Sequence, residues 1–303
     1  LASILIFAGL IKYIYFYQDD FFNYKVEQNM TLIYLLLALF AERMLSKPDH
    51  CHSNFYIDKY IDWLNKKSYL TQSVSTSGLS LMWLLPGLLL VAALTIVNVS
   101  IIDFAVTLFV LYMAIGCPEL RNTYKCYLQA ANQGDIDTCN IYTQQLGLGQ
   151  LEPRTFGQHL IWLNYQRYAA PMIMFVVFGL FGVVAYGCLR TLHGYSQANN
   201  IHAQSSLAKV LHVLDWLPIR ITAFGFLLVG HFSNALPKWV GFLFDTSTHA
   251  KLVLAEVAVA AEDVTSQDGD ITTEPTTLVQ LAKRNVLFIV AIVAVLTLSG
   301  VIT

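Results

Sequence analysis

The sequence predicts an all-α, polytopic helical membrane protein with about five transmembrane helices, a short N-terminal helix and further interfacial or cytoplasmic helices. Composition is the first reason. Of 303 residues, 56% are apolar and only 13% charged, whereas a soluble domain carries about 25% charged residues. The mean hydropathy of +0.54 agrees. The second reason is pattern: uncharged runs recur at the length of a bilayer core, about 30 Å or roughly 20 helical residues. Disordered chains, disulfide scaffolds and ordinary cytosolic enzymes are disfavoured. A net charge of −2 supplies no basic field, so no nucleic acid partner is expected. The expected partner is the lipid bilayer.

Residues 1–29 read as an extra N-terminal segment, either a further helix or read-through upstream of a start at Met30. The apolar stretch Leu1–Tyr17 is interrupted by Lys12 and lacks a small-residue cleavage site, which makes a poor signal peptide. Thr31 to Ala41 is apolar but too short to span, and predicts a half-buried or packed helix ending at Glu42-Arg43. In Tyr56–Lys67, Ile57, Tyr60, Ile61 and Leu64 recur at i, i+3, i+4, i+7. That pattern predicts an amphipathic helix, lying in the interface or packed on the rest of the protein.

The longest apolar run starts at Ser68 and is long enough for two crossings, about Leu79–Val97 and Phe104–Cys117, with a tight turn at Asn98-Val99-Ser100. Cys117–Gln133 repeats apolar residues at helical spacing, Tyr124 among them, until Gly134-Asp135 stops the pattern. Tyr168–Leu189, Ile221–Pro237 and Asn285–Thr303 supply the remaining spans. The acidic stretch 263–277 predicts a mobile loop, with Pro275 and Thr277 restarting a helix into the last span.

Thirteen of the eighteen Lys and Arg residues fall in segments 42–78, 117–167 and 234–284. The positive-inside rule places these in the cytoplasm and the C-terminus in the periplasm. The stretch 190–220, with Arg190, Lys209 and Arg220, then falls outside.

No metal site or cofactor is expected. Five cysteines make no framework, and the triplet His50-Cys51-His52 reads better as a polar loop than as convergent ligands. No phosphate loop or nucleophile elbow occurs. The remaining chemistry sits at the edges of apolar runs, where a charge at mid-membrane costs about 2.5–3.5 kcal/mol and persists only with a partner or a use. In VLHVLDWLPIRIT, Pro218 predicts a helix break with Asp215 capping a helix that begins at Trp216. Asp215 and Arg220 then line a polar cavity, or act as a cap and a membrane anchor. His212 can touch Asp215 on one helix face. Asn164 and Arg167 stand before Ala169-Ala170-Pro171, as ligand groups or as an anchor within a tyrosine belt. Glu42 and Arg43 point apart and pair elsewhere. The candidate polar cluster is thus Asn164, Arg167, Asp215, Arg220, Glu42 and Tyr124, with no catalytic residue assigned.

The same stretches carry a family resemblance. LHVLDWLPIRITAFGFLLVGHFSNALPKW (Leu211–Trp239), MTLIYLLLALFAERML (Met30–Leu45), YKCYLQAANQGD (Tyr124–Asp135), WLNYQRYAAP (Trp162–Pro171) and TTEPTTLVQLAKR before the last span resemble the AmpE family. The resemblance covers residues 30–303 as one integral membrane domain. It implies a bacterial inner-membrane location and a regulatory role in β-lactamase induction and cell-wall recycling, with a recycling ligand or membrane partner. Asn164, Pro171, Gly182–Leu192 and LDWLPIRITA are similar to the wider superfamily that includes the CobD/CbiB synthases. Against those, this chain carries Arg190-Thr191-Leu192-His193 in place of an acidic motif, and lacks their aspartate-rich start. The alternative expectation is a divergent membrane enzyme of that superfamily acting on an amphipathic substrate, with Asn164, Arg167, Asp215 and Arg220 in one cleft.

Overall fold

A computed structural model describes residues 30–45, 53–67, 76–148, 155–199, 204–246, 248–262 and 271–300. The expectations for residues 1–29, for His50-Cys51-His52 and for the 263–270 part of the acidic loop lie outside the described residues. Every regular element among the described residues is helical. Five stretches are long and apolar enough to cross a membrane: Gly78–Val97, Ser100–Asn132, Phe156–Ala198, Gln204–Val229 and Thr273–Leu298.

Helix α1 (Met30–Met44) buries Leu35, Ala38 and Glu42, one stripe at three- and four-residue spacing. It lies on α4, with the Tyr34 ring 5.1 Å from Phe104 and 6.0 Å from Phe175. Helix α2 (Ser53–Lys66) turns its apolar face onto α3 and α8: Ile61 and Leu64 are buried beside Leu79, Trp83 and Leu189. The Tyr60 hydroxyl donates to the Met82 carbonyl at 3.0 Å. That face is covered by protein, while Trp63 points outward.

Helices α3 (Thr76–Val97) and α4 (Ser100–Ala114) form the expected hairpin. Its turn holds Asn98 at φ 47°, the left-handed region that asparagine tolerates better than most residues. The chain breaks at Ile115-Gly116-Cys117 before α5 (Pro118–Asn132), which opens on proline at its first position. Helix α6 (Ile136–Gln145) is capped by Asp135, which accepts from the Thr138 amide at 3.1 Å and from its hydroxyl. Those bonds hold the Asp135 carboxyl below the ordinary range.

The stretch Phe156–Ala198 departs from expectation. Helix α7 (Phe156–Asn164) passes through a π-turn (Tyr165–Ala169) into α8 (Ala170–Ala198). Gly179, at φ 61° and ψ −153°, interrupts α8. There the chain folds back on itself. Arg190 reaches the Gln166 carbonyl at 2.7 Å, although a straight helix would hold them about 36 Å apart. A Cβ on Gly182 would stand 2.7 Å from the Met174 carbonyl of the opposing arm. The charge-free run Tyr168–Leu189 therefore forms two arms of about 15 Å each, half a bilayer core, and not one crossing. Arg190 consequently sits at the same end of the bundle as Arg167, not at the opposite end.

The backbone at Gly179 lies where only glycine is comfortable, and nothing stands within 4 Å of a Cβ placed there. Gly179→Ala is thus a test of backbone conformation without a clash. A loss of about 1–3 kcal/mol in thermal or denaturant stability is expected.

The run Ile221–Pro237 is likewise not one helix. Helix α9 (Gln204–Val229) starts earlier and passes through Pro218 without a break. The expected cap at Asp215 is absent because the helix is continuous there and has no N-terminus to cap, and the carboxylate accepts from two tyrosines instead. Proline removes only one ladder hydrogen bond, and the residues around it, Asp215 and Ile219 to Ala223, are packed into the core apart from half-buried Ile221. The helix ends at Gly230, where a Cβ would lie 2.6 Å from the Ala261 carbonyl. Helices α10 (Phe232–Leu243) and α11 (Ala250–Glu262) then form a hairpin beside α9. At 12 and 13 residues, about 18–20 Å each, neither crosses a bilayer. Val253, Leu254, Val257, Ala258 and Ala261 put α11 at the centre of the main core.

Helix α12 (Thr273–Leu298) begins before the expected span, with Pro275 in its first turn. Residues 273–277, expected in the mobile loop, are helical. At 26 residues it is about 39 Å long.

Candidate functional site

The π-turn, the fold-back at Gly179 and α9 converge on one buried carboxylate. Tyr165 opens the π-turn, Tyr186 lies on the returning arm of α8, and Asp215 lies midway along α9. Both hydroxyls donate to the same Asp215 oxygen, Oδ1, at 2.7 and 2.9 Å. All three residues are buried, Tyr165 to 1% exposure. Two charge-assisted donors from phenols satisfy the carboxylate where water does not reach. Arg190 lies one turn beyond Tyr186 on the same helix face. It is attracted by Asp215 and repelled by Arg167, so one acid and one further guanidinium act on it.

A second buried acid engages the same π-turn through Tyr168. Glu42, only 2% exposed, pairs with Arg121 at 2.9 Å and accepts from the Tyr168 hydroxyl at 3.0 Å. Arg121 also donates to the Glu42 carbonyl at 3.3 Å. Gly116 closes this site: its amide donates to the Arg167 carbonyl at 2.8 Å, and its φ is 81°. A Cβ on Gly116 would collide with the Glu42 carboxylate. Gly116→Ala therefore both strains the backbone and displaces Glu42, and a loss of about 2–4 kcal/mol in unfolding stability is expected. Glu42→Gln, which keeps the shape, is expected to cost less in the same melt.

Arg220 has a different setting. Its guanidinium donates to the carbonyls of Leu243 at 2.8 Å, Phe242 at 2.9 Å and Trp216 at 2.9 Å, and to that of Asp245. It also stacks over the Trp216 ring at 4.3 Å. It thus fastens the turn between α10 and α11 to α9, satisfying carbonyls that the end of α10 leaves open. His212, expected beside Asp215, meets the Thr246 carbonyl at 2.6 Å on the same turn.

The candidate residues accordingly fall into separate neighbourhoods. Asp215 and Arg167 belong to the tyrosine site, and half-buried Asn164 precedes its π-turn. Glu42 lies at the Arg121 site. Arg220 lies on the hairpin turn. Tyr124 hydrogen-bonds Thr276 at the start of α12. Residue-by-residue reading did not single out Tyr165, Tyr186, Arg190 or Arg121. The available signal was a pair, Tyr186 and Arg190, four residues apart and following a glycine within an apolar run.

Comparison with known proteins agrees with the architecture. The family model described as "Regulatory signalling modulator protein AmpE" matches residues 30–303. The "Protein AmpE" of Shigella flexneri is 29% identical over 289 residues, covering 89% of this chain and 99% of that protein. The "Cobalamin biosynthesis protein CobD" of Chromobacterium violaceum is 22% identical over 225 residues, covering 68% of this chain and 72% of that protein. No solved structure matches. With a multi-pass helical architecture and a match from Met30 to the last residue, the chain belongs to the AmpE family.

Proposed function

We propose that this protein is a non-catalytic inner-membrane modulator of β-lactamase induction, responding to a ligand linked to cell-wall recycling. The observation that carries the reading is the Asp215–Tyr165–Tyr186 site, which ties three separate chain segments together. A group bound beside Arg190 acts on both arms of α8 and on α9 together, as a sensor requires.

The residues that a CobD-like enzyme would gather into one cleft are divided, and Arg220 is spent on backbone carbonyls. That division favours modulation over synthesis. The CobD relative supports the competing reading only at the level of shared ancestry.

For orientation, the contacts of Glu42 with Arg121, of the Tyr127 hydroxyl with the Ile271 carbonyl at 2.8 Å and of Thr155 with Glu274 support one compartment for segments 42–78 and 117–167 and the start of α12. Their Lys and Arg content favours the cytoplasm. Helix α12 then carries the C-terminus toward the periplasm. The stretch around Arg190 joins the cytoplasmic end.

The test is genetic. Deletion of the gene is expected to change β-lactamase inducibility and the muropeptide profile, with restoration by the wild-type gene. Unchanged inducibility and muropeptides after deletion contradict the proposal.

A further inference from the structure

We infer that the cavity enclosed by α2, α3, α4 and the two arms of α8 binds a single-chain amphiphile from the bilayer, its chain along the apolar wall and its anionic headgroup on Arg190. The cavity measures about 300 Å3, its apolar wall includes Leu90, Phe109 and Val183, and its polar lining is Tyr56, Tyr186 and Arg190. Phe109 is 49% exposed on the outer surface of α4, so the wall is continuous with the lipid-facing side. Ligand sites begin at about this size. The volume accommodates on the order of ten methylene groups, each close to the ~30 Å3 share of a liquid water molecule.

The charge on the lining selects the headgroup. Arg190 spends one N–H on the Gln166 carbonyl, and among the described residues no carboxylate forms an ion pair with it. Asp215, the acid that attracts it, already accepts from Tyr165 and Tyr186. Arg167 adds a second positive charge nearby. A guanidinium lining a largely apolar cavity is stabilised by an anion, and its planar fork fits a phosphate or carboxylate in bidentate fashion. Tyr186 lines the cavity and also holds Asp215, so occupancy is coupled to the three-segment site. The inference deepens the modulator reading by naming a ligand class, and rests on that reading for the consequence of binding.

The test uses the full chain in nanodiscs of zwitterionic phospholipid, with three probes: dodecyl phosphate, dodecanol and inorganic phosphate. Dodecyl phosphate is expected to bind saturably above its partition into empty discs, at least tenfold more tightly than dodecanol. Arg190→Gln is expected to weaken dodecyl phosphate at least tenfold and leave dodecanol unchanged. Val184 also lines the cavity, and Val184→Trp, which fills it, is expected to weaken both chain-bearing probes.

Equal binding of dodecanol and dodecyl phosphate overturns the proposal, as does Arg190→Gln binding like wild type. Inorganic phosphate binding as tightly as dodecyl phosphate also overturns it, since the site would then take a free anion. Should Arg190→Gln fail to fold, Val184→Trp decides: a folded variant with wild-type affinity for dodecyl phosphate contradicts the cavity assignment. β-Lactamase induction enters none of these readouts, so the ligand and the regulatory role fail separately.

Discussion

Replacing Asp215 with alanine is expected to destabilise the protein by about 3–5 kcal/mol, the largest loss among single changes in the tyrosine site. The substitution removes the acceptor of two buried hydroxyls at once. It also removes the acid that attracts Arg190 and leaves Arg190 with the repulsion of Arg167. Asp215→Asn retains an acceptor and is expected to cost less, about 1–2 kcal/mol. Tyr165→Phe and Tyr186→Phe each delete one bond and are expected to lose about 1–2 kcal/mol. Because both bonds end on one oxygen, the double variant should deviate from the sum of the single variants. Thermal melts of detergent-solubilised protein measure the series. Additive tyrosine effects, or an Asp215→Ala variant within about 0.5 kcal/mol of wild type, would show that this site does not hold the three segments together.

Arg220→Ala is expected to have the second large effect, about 3 kcal/mol, and a local one. The guanidinium serves four backbone carbonyls, three of them on the end of α10 and the turn that follows. Its own carbonyl accepts from the Trp239 Nε1 at 3.2 Å, a bond that the substitution leaves in place. Loss of the side chain should free the turn at 244–249 while α9 stays helical, and limited proteolysis should then cut there first. Arg220→Lys should recover only part of the loss, because a single ammonium cannot reproduce the fork. Cleavage elsewhere in preference to this turn would contradict the role assigned to Arg220.

The physical reasons for what the sequence disclosed are uneven. Hydropathy and helical period located α1 to α5 and α12 and the apolar parts of α8 and α9, because burial in lipid or core demands an apolar face there. Helices α6, α7 and α11 lie in segments read as connections and were not singled out. The α3–α4 turn was legible because Asn98 and Ser100 are polar punctuation within an apolar run. Gly179 was not, since its signal is a backbone angle and not a polarity, and a glycine between Phe178 and Leu180 leaves the hydropathy of the run intact. Missing the fold-back hid the site with it: Tyr165 and Tyr186 are 21 positions apart, and in a straight helix they never meet. Pro218 misled in the opposite direction. Its local penalty is real, but the packed surroundings of α9 outweigh one lost hydrogen bond. Asp215 was singled out as an acid at an apolar edge, but as a helix cap, and nothing in that reading pointed to Tyr165 and Tyr186 as its partners.

The fold-back is the claim on which the site, the cavity and the placement of Arg190 all depend. Spin labels at Asn164 and His193, read by double electron–electron resonance in nanodiscs, measure it directly. A continuous helix places these positions about 44 Å apart. The folded arms predict a distance below about 20 Å, since the Gln166–Arg190 contact lies between them. A distribution centred near the longer distance would contradict the account.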